Sequence, residues 1–265
     1  MGKRILMCRP TFFDIDYEIN PWMHCDNRVR HDVARQQWQA LHDIYVQQLG
    51  WQVDLVEPLP GLPDLVFTAN GGLVIDGKVA LPCFRQPERQ PETAVFAAWF
   101  RGQGFAEPYL PRHDFEGEGD ALLWNDVLFA GHPWRSDITA HRGIAEFFGR
   151  RVVPLQLTDA RFYHLDTAFT VVDAQTVALY PAAFTQQSVQ AVRDTVPNVI
   201  EVSEADAQAY GLNALSDGRN IVLSDLATGL VAEYRRRGYV VWPTPIGEFR
   251  KSGGGVKCLS LELRP

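Results

Sequence analysis

The chain has no run of lysine and arginine, and its 265 residues carry a formal net charge of −7. A nucleic-acid-binding surface would be basic, so that class is excluded. No stretch approaches the roughly 20 apolar residues of a membrane span. The first ten residues, MGKRILMCRP, lack the apolar core and cleavage site of a secretory leader. Leu6 stands where a myristoylation signal needs Ser or Thr. A cytoplasmic protein is expected. Cysteine is scarce: there are four, Cys8, Cys25, Cys83 and Cys258, and none forms a C-x-x-C pair. In a reducing compartment these stay thiols. The question they raise is whether one is a nucleophile. The seven histidines include no H-E-x-x-H spacing, so no metal is expected. SGGGVKC fails the Walker A register, and GEGDAL lacks the third glycine of a dinucleotide fingerprint, so no cofactor is expected either.

What the chain does have is material for a core, 46% hydrophobic residues, and a repeating order of elements. Helical spacing of apolar residues marks 33–49, 92–101, 137–148, 185–195 and 226–237. Strand patterns follow at 51–56, 151–155, 198–202 and 239–242, and the one due near 104–110 is less clear. Between the helices lie hairpin signals: Asp76-Gly77, Asn125-Asp126, Asp173-Ala174 and Asp217-Gly218. The unit is strand, strand, helix, strand, repeated about five times at intervals near 50 residues. RILMC at 4–8 can pair with CLSLEL at 258–263 and close a ring. That period suggests a propeller of α/β blades, with an evenly spaced two-layer α/β domain as the alternative. No linker divides the chain, so 1–265 is expected to be a single domain.

Polar residues interrupt strand-like sequence at comparable points of the repeats. The segments are PDLVFTANGG (63–72), DFEGEGDAL (114–122), FYHLDTAF (162–169) and EFRKSGGGVKCLSLEL (248–263). A closed ring would bring Asp64, Asn70, Glu116, His164, Asp166 and Cys258 to one pocket. Singly, each has a plain reading: a turn aspartate, a loop acid, a core histidine, a small core cysteine. Together they make a chemistry. A thiol needs a lowered pKa or a base to act at neutral pH. A histidine can serve as that base and later protonate a leaving amine. Several carboxylates in one pocket repel each other unless a cation sits among them, and a guanidinium matches their edges.

At these residues the sequence resembles the guanidine-modifying, or pentein, superfamily, and the resemblance covers nearly the whole chain. Its members include arginine deiminase, dimethylarginine dimethylaminohydrolase, amidinotransferase and the arginine dihydrolases. The resemblance implies a five-bladed α/β propeller and a covalent cysteine mechanism. It implies Cys258 as nucleophile, His164 as acid and base, and Glu116 as its partner. Asp166 would contact the guanidinium, with Asp64 and Phe67 in the first motif as substrate or network residues. Arg135 resembles the arginine that binds a substrate carboxylate, its alternative being a surface arginine before a helix. Arg85 is a weaker choice for that task. Asn70 stands where the deiminases and methylarginine enzymes usually have aspartate. The dihydrolases are similar here, and they share an INPW-like segment, matched by residues 19–22 with Asn20. The resemblance therefore implies arginine cleaved to ornithine, carbon dioxide and two ammonia. The alternatives are a one-step hydrolase giving citrulline, an amidinotransferase, and a non-catalytic binding protein of the same fold. The expected partners are a small guanidino substrate and, at most, further copies of the chain. Residues 13–27, polar and aromatic, form either a lid or a plain surface loop.

Overall fold

The computed structural model describes residues 2–265. Strands and helices follow in the order β1 (Arg4–Cys8), α1 (His31–Asp43), β2 (Gln52–Val56), β3 (Leu73–Ile75), β4 (Lys78–Ala80) and α2 (Glu92–Gly102). Next come β5 (Ala121–Trp124), β6 (Val127–His132), α3 (Ala140–Phe148), β7 (Arg151–Gln156), β8 (Phe169–Val171), β9 (Thr176–Leu179), α4 (Gln186–Thr195) and β10 (Asn198–Glu201). The chain ends with α5 (Glu204–Gln208), β11 (Leu215–Ser216), β12 (Asn220–Ser224), α6 (Thr228–Arg236), β13 (Val240–Thr244), α7 (Gly247–Arg250) and β14 (Leu261–Glu262). No helix among the described residues is long and apolar enough to cross a membrane.

The strands form five small sheets. In three of them, β5-β6-β7, β8-β9-β10 and β11-β12-β13, an antiparallel hairpin is joined by a parallel third strand that arrives after a helix. The fourth, β14-β1-β2, has the same pattern, but its antiparallel pair comes from opposite ends of the chain, with Ile5 opposite Glu262. The hairpins form where turn residues permit them. Asp76 and Gly77 both take positive φ, as the tight two-residue turn requires, and Asn125 does the same between β5 and β6.

The unclear strand near 104–110 is absent from the fifth sheet, β3-β4; Tyr109 makes only a single bridge to Ala80. Pro108 and Pro111 flank it and deny the ladder two donors. A second expectation is corrected: CLSLEL is a strand only at Leu261–Glu262. Residues before it curl, because Leu259 N–H donates to Gly255 and Ser260 N–H to Lys257. Helix α1 also continues past its expected regular course into a π-helical stretch, Ile44–Gln48.

Apolar side chains fill the wedges between neighbouring sheets and helices. One cluster joins Leu73 and Ile75 of β3 to Leu128 of β6 and to Ile144 and Phe148 of α3. This packing fixes where the short turns ahead of each hairpin meet.

Candidate active site

Three of the polar motifs fold as 3-10 turns just ahead of a hairpin: Pro63–Val66 with Thr68–Gly71, Gly117–Gly119, and Leu165–Thr167. The fourth is the curled segment 251–259. These turns touch. Ala69 N–H donates to the Cys258 carbonyl, and Glu118 N–H to that of Gly72. Gly119 lies so close that a Cβ there would sit 2.2 Å from Asn70 Nδ2 and 3.3 Å from the His164 ring. A Cβ on Gly254 would sit 2.1 Å from the Phe67 ring. Glycine is what lets these backbones approach.

The Cys258 thiol is buried. Its Sγ accepts from Asn213 Nδ2 at 3.0 Å and lies 3.5 Å from Asp166 Oδ2, while its backbone N–H donates to Asn213 Oδ1 at 3.0 Å. Burial, and then the Asp166 charge, push the thiol well above the ordinary range. Burial also raises the Asp166 carboxyl to about 7, against the opposing pull of the Lys257 ammonium and of hydrogen bonds from Cys258 and Asn213.

His164 Nε2 and Glu116 Oε2 are 2.7 Å apart, both buried. Burial alone would raise Glu116; the Arg135 charge, then the hydrogen bond and charge of His164, outweigh it and hold the carboxyl at about 2. Glu116 is therefore anionic, and Nε2 carries the hydrogen between them. Arg135 is buried rather than on the surface: Nη1 lies 3.2 Å from Glu116 Oε2, Nη2 donates to the Ile19 carbonyl at 3.0 Å, and the guanidinium sits over the Tyr163 ring. Three atoms in and beside this cluster are buried without a partner, His164 Nδ1, Asp166 Oδ1 and Tyr210 Oη.

The remaining expected residues form a shell. Asp64 accepts from Tyr17 Oη at 3.1 Å and from Ser252 Oγ at 3.4 Å. Burial raises its carboxyl, against the Arg89 charge and the Tyr17 hydrogen bond. Asn70 Nδ2 donates to the Glu116 carbonyl at 3.4 Å, and its Oδ1 accepts from Arg89 at 2.7 Å. Phe67 packs edge-on against Phe13. Asn20 Nδ2 donates to the Ser252 carbonyl at 3.1 Å, and its Oδ1 accepts from Trp22 N–H. Arg85 spends its guanidinium elsewhere, on Asp114 and on the Pro133 and Trp134 carbonyls, and reaches Glu116 only through its amide.

Segment 13–27 has no helix or strand, yet it is not a free loop. It crosses the cluster, pinned by Tyr17 to Asp64, Asn20 to Ser252, Trp22 Nε1 to the Arg161 carbonyl, and Ile19 to Arg135. Three residues of the cluster have no counterpart among the expected ones. Asn213, in YGLNAL, holds the cysteine; Arg89, ion-paired with Glu92, fixes Asn70; Tyr163 lies with its ring tilted against that of His164 and donates to the Gly253 carbonyl. The signal for Asn213 was its place just before the β11 hairpin, where His164 stands before β8. Among the described residues, no group of three His, Cys, Asp or Glu side chains is arranged to hold a metal ion.

The family model of eukaryotic N,N-dimethylarginine dimethylhydrolases matches residues 13–264. The N(G),N(G)-dimethylarginine dimethylaminohydrolase of Mycobacterium tuberculosis is 43% identical over 263 residues, which are 99% of this chain and 86% of that protein. The bifunctional arginine dihydrolase/ornithine cyclodeaminase ArgZ of Synechocystis is 40% identical over 98% of this chain, which spans 37% of that longer protein. The crystal structure of the N-terminal domain of ArgZ, with serine replacing an asparagine and covalently bound to a reaction intermediate, superimposes with a TM-score of 0.93. That match has 39% identity and covers 99% of this chain and 98% of the other.

Proposed function

The chain belongs to the dimethylarginine dimethylaminohydrolase family of guanidine-modifying enzymes, and from that premise we propose that it is a cysteine-dependent arginine dihydrolase, taking arginine to ornithine, ammonia and carbon dioxide. The observation that carries this is the pair of buried, unpartnered atoms, His164 Nδ1 and Asp166 Oδ1, beside a buried thiol. Both accept hydrogen bonds while the imidazole is neutral, and a planar guanidinium offers donors to both.

In this reading Glu116 and Asp166 hold the guanidinium, and Asp64, Phe67 and Arg135 shape the rest of the pocket. Cys258 gives its thiol proton to His164 and attacks the central carbon as thiolate. His164 protonates the departing ammonia, leaving an alkylthiouronium on sulfur. Water activated by His164 then displaces the thiolate and gives the ureido product. Asn70 and Asn20 keep that product in place: an amide both donates and accepts, which suits a neutral urea. A second attack expels the second ammonia. Hydrolysis of the resulting thiocarbamate yields a carbamate that falls apart to carbon dioxide and ornithine. The five sheets would stand as blades of a propeller that spans the whole chain, with the site at its centre and the free thiols suited to a reducing cytoplasm.

A second reading is favoured by the match to the mycobacterial dimethylarginine dimethylaminohydrolase: one cleavage, giving citrulline. Incubation of the purified protein with arginine, dimethylarginine or agmatine separates the two. Two ammonia per arginine together with ornithine support the dihydrolase. One ammonia with citrulline excludes it, and dimethylamine released from dimethylarginine selects the second reading. Cys258→Ser is expected to lose all turnover; persistent activity would end the covalent route.

A further inference from the structure

The turn that carries the thiol borders a second space. Cys258 faces Asn213 and Asp166, while Lys257, the residue before it, lines a separate cavity of about 90 Å³. The cavity lies among β5, β8 and β11, each of them an edge strand of its sheet. An edge strand presents backbone N–H and C=O groups that no neighbouring strand takes. Lys3, Lys257, Arg264 and Glu262 line the space, with Thr170 and Ser216. None of the residues given a part in the chemistry above is in this wall.

The charges there are unequal. Lys3, Lys257 and Arg264 are paired with only two carboxylates, Glu118 and Glu262. Glu118 stands outside the wall, so the wall itself holds three cations and one carboxylate. Lys257 is buried, and a buried cation needs an anion close by to offset its lost hydration. Hydrogen-bond donors are in excess too. Of its three N–H donors Lys3 gives one to Glu262, and Lys257 gives one to Glu118 and one to the Ser260 carbonyl. Of the five on Arg264, one goes to Glu118 and one to Glu262. Thr170 and Ser216 already donate their hydroxyls, to the Leu212 and Val172 carbonyls, so recognition falls to the cations. One water needs roughly 10–15 Å³ of such space, which leaves room here for a small oxyanion.

We propose that this cavity is a binding site for a small inorganic oxyanion of the phosphate, sulfate or bicarbonate kind, held by Lys3, Lys257 and Arg264 behind the nucleophile turn. Such an ion presents several acceptor oxygens at once, and ammonium and guanidinium groups make charge-assisted bonds to them. A halide has no such set of oxygens. The inference does not rest on the proposed reaction.

Phosphate, sulfate and bicarbonate are titrated in turn into the full chain by calorimetry, with ionic strength held constant by chloride. Wild type is expected to bind at least one of them saturably, one per chain. Lys3→Gln and Arg264→Gln are each expected to weaken that binding about 10- to 100-fold, the worth of one hydrogen bond to a charged group. Glu262→Gln removes the carboxylate from the wall and is expected to tighten binding, a direction that damage to the fold does not produce. Lys78→Gln makes the same charge change on the exposed β4 and is expected to leave binding as it was. No saturable binding by any of the three ions overturns the proposal. So does displacement by an equal concentration of chloride, or equal weakening in Lys78→Gln and Lys3→Gln. If Glu262→Gln does not fold, the split between Lys78→Gln and the Lys3 and Arg264 variants decides. Cys258→Ser saturated with arginine is expected to bind the ion unchanged; displacement by arginine places the ion in the active site and overturns the proposal. Failure of arginine to bind at all counts against the functional reading alone, and the Lys3, Arg264 and Glu262 variants then locate the ion.

Discussion

At the scale of single residues the site is defined by what is left unpaired. A neutral thiol, a carboxylate raised to about 7 and a histidine with one free nitrogen make a resting state with little free charge. In the proposed reaction a guanidinium entering between Glu116 and Asp166 would change that balance, because a nearby positive charge favours both carboxylate and thiolate. Asn213 sets the geometry for this step. Its one amide holds the Cys258 backbone N–H, the Cys258 sulfur and the Asp166 carbonyl. Asn213→Ala removes all three, and a misplacement near 1 Å costs about 100-fold in rate. A loss of kcat of roughly 10- to 100-fold is therefore expected. Asn213→Asp keeps the size but places a carboxylate against the sulfur, so iodoacetamide alkylation of Cys258 should move to higher pH than in Asn213→Ala. Identical alkylation profiles in wild type and both variants would remove Asn213 from the account.

At the scale of elements, helices and hairpins were legible because their signals are local. The apolar stripe Trp38, Leu41, Tyr45 and the Asp76-Gly77 turn need nothing beyond their neighbours. What failed to read was decided by distant contacts. The alternation in CLSLEL resembles a strand, but the turn bonds of residues 255–260 curl most of it away and leave Cys258 facing Asn213. The importance of Gly254 was equally hidden, since nothing in GGG says which glycine meets a ring. The structure singles out Gly254, whose added Cβ would lie 2.1 Å from Phe67. Phe67 is hemmed in by Phe13, which stacks on Phe249, so it cannot move aside freely. Gly254→Ala is expected to cost about 1–3 kcal/mol, the usual range for overpacking. Adding Phe67→Leu should return part of that stability. Urea denaturation checks both, and an unchanged midpoint in Gly254→Ala would show that the turn yields without cost.

At the scale of the whole molecule, the candidate site is assembled from stretches spread from Tyr17 to Cys258. The motif spacing announced four of those stretches. It did not announce Asn213 or Arg89, whose roles exist only once the repeats are folded against each other. The same assembly buries titratable groups, and their shifts fix how stability depends on pH. In the acid and neutral range they conflict: Glu116 is held at about 2, while Asp120 is raised to about 6 and Glu92 to about 7. In the alkaline range they agree. Cys8 is pushed up to about 12, first by burial and then by Glu92, and Cys258 well above its ordinary value. Burial also raises the phenols of Tyr45, Tyr163, Tyr210 and Tyr234. A raised pKa in the fold means the unfolded chain loses these protons first. Their contribution is whole below the unfolded value, near 9 for thiols and 10 for phenols, and drains as pH climbs towards the folded value. Each group that ionises only on unfolding removes about 1.4 kcal/mol per pH unit in that window. The urea midpoint is therefore expected to hold between pH 8 and 9 and to fall steeply by pH 11. Cys8→Ala should reduce that slope, because one of the contributing protons is gone. A midpoint that stays level to pH 11 would mean that these thiols and phenols reach water in the native state, and that the packing around Cys258 is looser than described.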